Sequence, residues 1–335
     1  MVPPEIDSLP AVSVVLPVLN EERHLASAVR SVLGQDYAGD LEVVLALGPS
    51  KDKSNAIAAE LATDDRVVLV DSPTGRTPDG LNIAIAASRY PIVVRVDGHS
   101  VIPATYVADA VELLERTGAD NVGGLMSATG VTDFEQAVAA AMTSKLGVGN
   151  APFHVGGGEG PADTVYLGVF RRTALERVGG YDATFARAQD WEMNYRIRET
   201  GGLVWFSPKL SVSYRPRHTL SALAAQYFHY GRWRRHVMRT HPSSVNFRYL
   251  APPLALLGVG LGLLAAIIGA LLSTPWWLVA LTLPVGYALL VLAGSVVVGR
   301  GLPRVARQWL PLVLATMHLS WGAGFLTSWR VVEER

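Results

Sequence analysis

The sequence predicts an α/β domain with a mostly parallel sheet, followed by helices that cross a membrane. Two observations carry this prediction. Strand-like and helix-like segments alternate through the first hundred residues, and strands separated by helices of this length form right-handed βαβ units in a parallel sheet. Further along, a block of 51 consecutive residues from Tyr249 to Gly299 contains no charged side chain.

The alternation can be followed element by element, because short β-branched runs indicate strands and apolar residues at helical spacing indicate helices. We predict strands at 12–16, 41–47, 67–70, 92–96, 121–124 and 164–170, and helices at 25–33, 54–61, 80–87, 105–117, 174–178 and 188–199. The glycine-rich stretch 147–160 is predicted to be a mobile loop. The pattern is typical of a Rossmann-like nucleotide-binding half with flanking helices. No Gly-x-Gly-x-x-Gly follows the first strand, which argues against a dehydrogenase.

The uncharged block has room for two membrane helices of about 20 residues each. They are predicted at 250–272 and 276–298, joined by a Ser-Thr-Pro turn. A third apolar run covers 309–329 and has tryptophan at both ends, as residues at a membrane interface often are. Because Pro311 and His318 interrupt this run, a re-entrant or surface-lying helix suits it nearly as well as a membrane-spanning one.

The charges around the apolar block predict its orientation. No acidic residue occurs between Glu199 and Glu333, whereas arginines are frequent before the first predicted span and between the second and third. By the positive-inside rule both regions are cytoplasmic, so the N-terminal domain, predicted at 12–240 after a tail at 1–11, faces the cytosol. The first residues have neither a basic flank nor an apolar core, so we expect no signal peptide. The lack of cysteine excludes disulfides, zinc–thiolate sites and cysteine nucleophiles.

The most informative short stretch is Asp97-Gly98-His99. It follows the strand at 92–96, so it is expected at the carboxyl edge of the sheet, where open α/β folds bind ligands. An aspartate and a histidine there can hold a divalent cation that serves a phosphorylated ligand. An aspartate at a strand end is also a common turn former, and the stretch alone does not decide between the two interpretations.

Seven short motifs, taken in order, resemble those of one enzyme family. They are Pro17-Val-Leu-Asn-Glu-Glu22, Ser50-Lys-Asp52, Gly75-Arg-Thr77 with Gly80-Leu-Asn82, Asp97-Gly-His99, Val178-Gly-Gly-Tyr-Asp182, Gln189-Asp-Trp-Glu192 and Gln226–Trp233. The chain resembles the family 2 glycosyltransferases, which have the GT-A fold. Within that family it is similar to the ExoA-type membrane-anchored enzymes of bacterial polysaccharide assembly.

The resemblance implies a nucleotide diphosphate sugar as donor, usually a UDP-sugar, bound in a half at about 12–100. Asp97 and His99 match the family's metal-binding D-x-D, with histidine in place of the second acid. A divalent metal, Mn²⁺ or Mg²⁺, is therefore expected, and histidine suits Mn²⁺ better. Many relatives have two acids where this chain has Leu47-Gly48, so base specificity stays open. The donor-binding positions implied are Pro17, Asn20, Glu21, Asp52, Arg76, Asn82 and Asp97.

The same resemblance places an acceptor half at about 101–240, in which Asp190 matches the catalytic base. Such a base deprotonates the acceptor hydroxyl as it attacks the anomeric carbon, and a single displacement inverts that centre. Glu192 is the runner-up for this role, and Asp163 is a candidate acceptor contact. Candidates for contact with the acceptor or the membrane surface are Gln226, Arg232, Trp233 and Arg234.

We therefore expect an inverting transferase at the bacterial plasma membrane that moves a hexose to a polyprenyl-linked saccharide, with no nucleic-acid partner. A transferase that uses polyprenyl phosphate itself as acceptor is the close alternative. A third interpretation is a membrane scaffold that has lost catalysis, since Leu47-Gly48, His99 and Gln189 depart from the family pattern. The presence of both Asp97 and Asp190 argues against a scaffold.

Overall fold

A computed structural model of the chain describes residues 9–329. Most of the predicted tail at 1–11 lies outside these residues. The described part forms two compact units. The first extends up to Ser127 and resumes at Gly156–Tyr214, and it contains the sheet. The second comprises Ala128–Val155 and the chain from Arg215 onward, and it is helical. The predicted domain at 12–240 thus contributes to both units.

The sheet of the first unit has eight strands. They are β1 (Val12–Val18), β2 (Leu41–Leu47), β3 (Val67–Asp71), β4 (Ile92–Arg95), β5 (Asn121–Ala128), β6 (Gly160–Pro161), β7 (Tyr166–Arg171) and β8 (Val204–Tyr214). Their spatial order is β3-β2-β1-β4-β7-β5-β8-β6. The first four pair in parallel, as predicted, whereas β7 pairs antiparallel with β4 and β5, and β6 pairs antiparallel with β8. The complete sheet is therefore mixed.

In chain order, the helices are α1 (Leu25–Leu33), α2 (Ser54–Leu61), α3 (Thr77–Ala87), α4 (Tyr106–Thr117), α5 (Asp133–Met142), α6 (Lys145–Val148), α7 (Pro152–Val155), α8 (Arg172–Val178), α9 (Gln189–Glu199), α10 (Leu220–Thr240), α11 (Phe247–Leu271), α12 (Trp277–Ala280), α13 (Thr282–Val298) and α14 (Arg304–Thr327). Most apolar side chains of β1, β2 and β4 are buried, together with most of those of α1 and α4. Continuous burial of this kind is what helices on both faces of a parallel sheet require.

Three predictions for the elements need correction. Helix α3 begins at Thr77 rather than at residue 80, because Pro78 fits the first turn of a helix, where its missing N–H is not needed. Strand β5 continues past Gly124 to Ala128, and a Cβ at Gly124 would overlap the backbone of Leu210. Here glycine permits close strand approach and does not end the strand. The stretch 147–160 is not one continuous loop, since it includes α7 and the start of β6.

In the second unit, three helical segments are long and apolar enough to cross a membrane. Helix α11 has a mean hydropathy of 2.5, the α12–α13 segment Trp277–Val298 has 2.1, and α14 has 1.3. The first two correspond to the predicted spans. Helix α14 is the least apolar, and it packs closely against α10. A Cβ at Gly231 would overlap the carbonyl oxygen of Trp321, and one at Gly324 would overlap that of Phe228.

Candidate active site

A cleft of about 270 Å³ opens at the carboxyl ends of β1, β2 and β4. Ligands bind at this edge in open α/β sheets, so the cleft lies where the sequence predicted a site. Its walls come from the ends of these strands, the first turn of α3 and the start of α9. The principal lining residues are Pro17, Glu21, Gly48, Gly75, Arg76, Gly80, Arg95, Asp97, His99 and Gln189.

The loop after β1 is held in place by the loop after β2. Asn20 has a left-handed backbone (φ 56°), which asparagine tolerates better than most residues. Its side-chain oxygen accepts from the N–H of Lys51 at 2.8 Å, and the carboxylate of Asp52 accepts from the N–H of Glu22 at 3.1 Å. The Ser54 hydroxyl, which bonds the Asp52 carboxylate, lowers the pKa of that group. Neither Asn20 nor Asp52 lines the cleft; both support the loop that carries Glu21.

Two of the predicted donor-binding residues lie on α3 or immediately before it. Arg76 lines the cleft and donates to the carbonyl of Ala183. Asn82 does not line it, since its amide donates to the carbonyl of Tyr181 at 2.7 Å and its oxygen accepts from the Tyr181 N–H at 2.8 Å. A Cβ at Gly180 would lie 2.7 Å from that amide oxygen, so glycine is needed there. Asn82 therefore fixes the loop before α9.

Arg95 joins the two acids that the sequence singled out. Its side chain is only 4% exposed, and its Nε and Nη2 atoms donate to Oδ1 of Asp97 at 3.1 and 3.0 Å. Its Nη1 atom donates to Oδ1 of Asp190. Burial alone would lower the pKa of Arg95, but the Asp97 carboxylate and the Tyr181 ring outweigh it and raise that pKa. Arg95 is therefore a permanent cation between Asp97 and Asp190.

His99 and Glu21 form a second pair in the cleft. Nδ1 of His99 lies 2.9 Å from Oε1 of Glu21. A carboxylate can only accept, so in the neutral ring Nδ1 carries the proton and Nε2 keeps its lone pair. Metal-binding histidines are commonly oriented in this way by a carboxylate. A Cβ at Gly98 would lie 3.0 Å from Cγ of Glu21, so glycine between Asp97 and His99 lets Glu21 approach.

These residues fit a divalent metal that is shared with a phosphorylated ligand. Within residues 9–329, no group of three or more histidines and acids is arranged to hold a metal by itself. Mg²⁺ at phosphate-transfer sites takes only one or two protein ligands and completes its shell with substrate oxygens and water. Asp97 and His99 supply that number from one wall of the cleft.

Asp190 lies in the first turn of α9, next to the cleft-lining Gln189. Its side chain is 32% exposed, so one side of the carboxylate faces Arg95 while the group stays accessible. The preceding Ala188 has a left-handed backbone (φ 60°), a conformation that costs a residue with a Cβ about 1–2 kcal/mol. Strain of this kind often accompanies functional sites, where the surrounding structure holds it in place.

The runner-up base, Glu192, is placed differently. Its side chain is 1% exposed, and its two oxygens accept from Nε and Nη2 of Arg196 at 2.6 and 2.7 Å. Arg196 also donates to the carbonyls of Val178 and Gly180. Glu192 therefore stabilises the loop before α9 and does not reach the cleft. Asp163 does not line the cleft either; it is 59% exposed and lies 3.8 Å from Arg198.

Comparisons with known proteins decide the family. The sequence model of "Glycosyl transferase family 2" matches residues 13–179. The succinoglycan biosynthesis protein ExoA of Rhizobium meliloti (strain 1021) is 33% identical over 323 residues, which is 95% of this chain and 93% of that protein. The chain belongs to glycosyltransferase family 2. It is an ExoA-like hexosyltransferase of that family.

Two more distant proteins are also similar to this glycosyltransferase. A dolichyl N-acetyl-alpha-D-glucosaminyl phosphate 3-beta-D-2,3-diacetamido-2,3-dideoxy-beta-D-glucuronosyltransferase of Methanococcus voltae is 19% identical over 229 residues, covering 66% of this chain and 71% of that protein. The structure of a mannosyltransferase from Pyrobaculum calidifontis in complex with GDP-Man and Mn²⁺ matches with a TM-score of 0.59 and 20% identity. It covers 96% of this chain and 89% of that one. The likeness to the mannosyltransferase structure confirms the GT-A fold.

The candidate acceptor residues of the glycosyltransferase lie on α10 in the second unit. Gln226 donates to the hydroxyl of Tyr230 at 2.7 Å. Trp233 is 1% exposed, so the prediction that it lies at a surface is wrong; it is part of the helix packing. Arg232 is half-buried, and Arg234 stacks on the ring of Tyr249.

Sequence reasoning missed Arg95 as a residue of the glycosyltransferase site. The only signal was a charged residue inside an otherwise β-branched run, Ile92–Val96. A buried charge needs a partner, so this arginine could have been expected to reach an acid. Which acid it reaches depends on the placement of α9, which no local pattern in the strand encodes.

Proposed function

We propose that this enzyme moves a hexose from a nucleotide diphosphate sugar to a lipid-linked saccharide during polysaccharide assembly, with inversion of the anomeric centre. The observation that carries the proposal is the bridge formed by Arg95 between Asp97 and Asp190 at the rim of one cleft. This bridge brings Asp97, the candidate metal-binding carboxylate, and Asp190, the candidate base, to the same guanidinium group. The name of the relative ExoA, a succinoglycan biosynthesis protein, supports the pathway class.

The donor is assigned to the cleft because its walls suit a diphosphate. Arg76 and the first turn of the 11-residue helix α3 both line it. The N–H groups at a helix N-terminus attract phosphate, and a guanidinium binds it strongly. Gly75 and Gly80 leave the backbone accessible at the cleft wall. A UDP-sugar is the proposed donor, although the similar mannosyltransferase structure contains GDP-Man.

A metal at Asp97 and His99 fits the same ligand. When bound, a divalent cation neutralises the negative charge on the departing nucleoside diphosphate. Glu21 orients the His99 ring for that task through the contact at Nδ1. Arg95 donates two hydrogen bonds to Oδ1 of Asp97 and thereby limits the orientations available to its carboxylate. The similar mannosyltransferase was solved with Mn²⁺, which supports this ion.

The proposed chemical step is a single displacement with Asp190 as general base. Asp190 takes the proton of the acceptor hydroxyl while the hydroxyl oxygen bonds to the anomeric carbon. The bond from that carbon to the diphosphate oxygen breaks, and the nucleoside diphosphate leaves with its electron pair. An α-linked donor therefore gives a β-linked product. Arg95 favours the ionised form of Asp190, which is the form that accepts a proton.

The acceptor is proposed to be membrane-bound because apolar helices follow the catalytic elements. Helix α11 and the α12–α13 segment are each long and apolar enough to cross a bilayer. The Methanococcus voltae relative is named for a dolichyl phosphate-linked sugar acceptor, which supports a polyprenyl-linked one here. The arginines before α11 support the proposal that the enzyme works on the cytoplasmic side of a bacterial membrane, by the positive-inside rule.

A donor screen tests the proposal. Membranes containing the full chain are incubated with Mn²⁺ and a panel of UDP- and GDP-sugars, and release of nucleoside diphosphate is measured. Three acceptor conditions are compared: polyprenyl-diphosphate saccharide, polyprenyl phosphate and no lipid. We expect release with one donor class, and only with the diphosphate-linked saccharide. Release with polyprenyl phosphate would assign the alternative acceptor, and no release with any donor would contradict the proposal.

A further inference from the structure

The second unit holds two arginines against one tyrosine ring. Cζ of Arg234 lies 4.1 Å and Cζ of Arg248 lies 4.7 Å from the centre of the Tyr249 ring. Arg248 also donates to the Tyr249 hydroxyl at 2.6 Å and to the side-chain oxygen of Asn150 at 3.1 Å. We call these three residues, Arg234, Tyr249 and Arg248, the Arg–Tyr–Arg cluster.

The electrostatics of the cluster favour an anion. Two guanidinium groups on one ring repel each other, and the ring offsets only part of that repulsion. A phosphate matches the planar donor fork of arginine, and a diphosphate carries enough oxygens to engage two forks.

The position of the cluster points to a lipid. Arg248 and Tyr249 belong to the first turn of α11, which is long and apolar enough to cross a membrane. A membrane-spanning helix begins at the head-group level, and its N–H groups there add to the attraction for phosphate. Arg235 and Arg239, on the same helix as Arg234, instead donate to backbone carbonyls at the end of α14.

We propose that the Arg–Tyr–Arg cluster binds the diphosphate of a polyprenyl-linked acceptor. This inference rests on the proposed function and assigns one of its substrates to particular residues. It adds Arg248 and Tyr249 to the acceptor-binding candidates and retains Arg234 among them. Arg235 and Arg239 of α10 are assigned instead to binding the backbone carbonyls at the end of α14.

Native mass spectrometry of the detergent-solubilised full chain tests this site. Wild type is titrated with polyprenyl diphosphate, polyprenyl phosphate and phosphatidylglycerol, and UDP binding is measured on the same samples. We expect Arg234→Gln/Arg248→Gln to weaken diphosphate binding about 100-fold, as the loss of two charge-assisted contacts implies. Arg239→Gln, which removes one positive charge from α10 as Arg234→Gln does, should bind like wild type. Arg234→Lys should recover only part of the affinity.

The outcomes separate this inference from the proposed function. Undiminished diphosphate binding by the double variant would overturn the cluster, as would equal binding of phosphatidylglycerol, which would make it a general anionic surface. In either case intact UDP binding would leave the donor site standing. If wild type bound no nucleotide, the proposed function would fail, whatever the lipid result.

A separate observation concerns the path of α14 relative to the membrane. Helix α10 leads directly into α11, so α10 lies on the side where α11 enters the bilayer. After α11 and the α12–α13 segment have each crossed, Arg304 is on that same entry side. A third crossing by the 24 residues of α14 would place its two ends about 36 Å apart, on opposite sides.

The contacts of α14 are incompatible with that third crossing. Arg235 of α10 donates to the carbonyls of Phe325 and Leu326 at 2.8 and 2.9 Å, near the end of α14. A Cβ at Gly322 would lie 2.6 Å from the carbonyl oxygen of Pro252, which is in the second turn of α11. The far end of α14 is thereby tied to elements on the entry side.

The beginning of α14 is tied to the same side. The ring of Trp309 packs edge-on against Phe134 of α5 at 5.3 Å. Helix α5 has Asp133 and Glu135 in its first turn, and α10 carries several arginines. Placing charged helices of this kind inside the hydrocarbon layer costs free energy, so both are expected outside it. The lower hydropathy of α14, 1.3 against 2.5 for α11, agrees with a helix that does not cross.

We infer that α14 lies along the membrane surface and that only α11 and the α12–α13 segment cross. The partner of its outward face is the bilayer interface, where Trp309 and Leu312 are exposed. Both ends of α14 then lie on the side that α10 occupies.

Cysteine labelling tests this path cleanly because the chain has no cysteine. Single cysteines are placed by Ser221→Cys in α10, Ser273→Cys in the turn after α11, and Thr327→Cys at the end of α14. Inside-out and right-side-out vesicles are then treated with a membrane-impermeant maleimide. We expect Ser221→Cys and Thr327→Cys to react in one orientation and Ser273→Cys in the other. Reaction of Thr327→Cys together with Ser273→Cys would overturn the surface position of α14.

Discussion

Arg95 binds Asp97 and Asp190 with the same guanidinium group. Asp97 follows β4 and Asp190 lies in the first turn of α9, so one buried side chain sets the distance between the proposed donor end and acceptor end of the candidate site. The arrangement couples the two halves of the proposed reaction, because a shift of either carboxylate disturbs the partner of the other.

Replacement of Arg95 should therefore reduce turnover and change its pH dependence. Arg95→Met removes the cation that favours ionised Asp190, so the pH below which activity is lost should move upward. We expect kcat to fall about 100-fold, comparable to the loss of one preorganised donor. Arg95→Lys keeps the charge but loses the planar set of donors that reaches both carboxylates. Its kcat should lie between those of wild type and Arg95→Met.

The measurement is the pH profile of kcat and of kcat/KM for the three proteins. Arg66→Met is a matched control, since Arg66 is 46% exposed, pairs with the acid Asp64 and donates to the carbonyl of Leu33, away from the cleft. If folded Arg95→Met lost activity at the same low pH as wild type, the result would contradict a positioning role for Arg95.

Glu192 should behave as a structural residue. Glu192→Gln breaks a buried ion pair with Arg196, and we expect a loss of about 3 kcal/mol in the free energy of unfolding. Activity at a temperature where the variant is folded should stay within several-fold of wild type. Thermal unfolding and turnover of the same sample provide the check. A folded but inactive Glu192→Gln would make Glu192 the base.

His99 should determine which metal is used. His99→Asp supplies a second hard oxygen ligand, so we expect the preference to shift from Mn²⁺ towards Mg²⁺. Glu21→Gln removes the carboxylate that orients the His99 ring and should weaken Mn²⁺ binding 10–100-fold. Glu22→Gln, at the exposed neighbouring position, is the control.

Electron paramagnetic resonance of Mn²⁺ in the presence of UDP measures these affinities without turnover. Equal Mn²⁺ binding by Glu21→Gln and Glu22→Gln would contradict the orienting role of Glu21. Equal binding by His99→Ala and wild type would remove His99 from the metal site.

The close crossing of α10 and α14 should depend on glycine. In Gly324→Ala the new methyl group meets the carbonyl of Phe228, which is backbone and cannot move aside cheaply. We expect a destabilisation of about 2 kcal/mol or more. Gly286→Ala in α13 adds its methyl group to open space and should be neutral or slightly stabilising. Thermal unfolding in detergent compares the two, and equal unfolding temperatures would contradict the crossing.

Much of the fold was predictable because its signals are local. The β-branched runs of β1, β2 and β4 report burial directly. The uncharged stretch in α11 and α13 reports helices long and apolar enough to cross a membrane. The antiparallel second half of the sheet was not predicted, because a strand's direction depends on the long connection before it. The position of Gly124 against Leu210 is another non-local feature, and it hid the length of β5.

The candidate site was predictable in its parts and not in its assembly. The motifs identified Asp97, His99 and Asp190, but they also selected Asn82 and Asp52, whose side chains hold loops in place. Motif residues that line a site and motif residues that hold its loops look alike in the sequence. Only their contacts in the structure distinguish the two groups. Arg95 was missed because its two partners come from different elements of the fold.

The assignment of Asp190 as base is tested most directly by Asp190→Asn. The substitution keeps the shape of the side chain and removes its ability to accept the proton of the acceptor hydroxyl. With Glu192→Gln as the control, assayed at a temperature where it is folded, we expect Asp190→Asn to retain nucleotide-sugar binding while acceptor-dependent release of nucleoside diphosphate falls about 1,000-fold. Release at the wild-type rate by Asp190→Asn, with intact donor binding, would contradict the proposed mechanism.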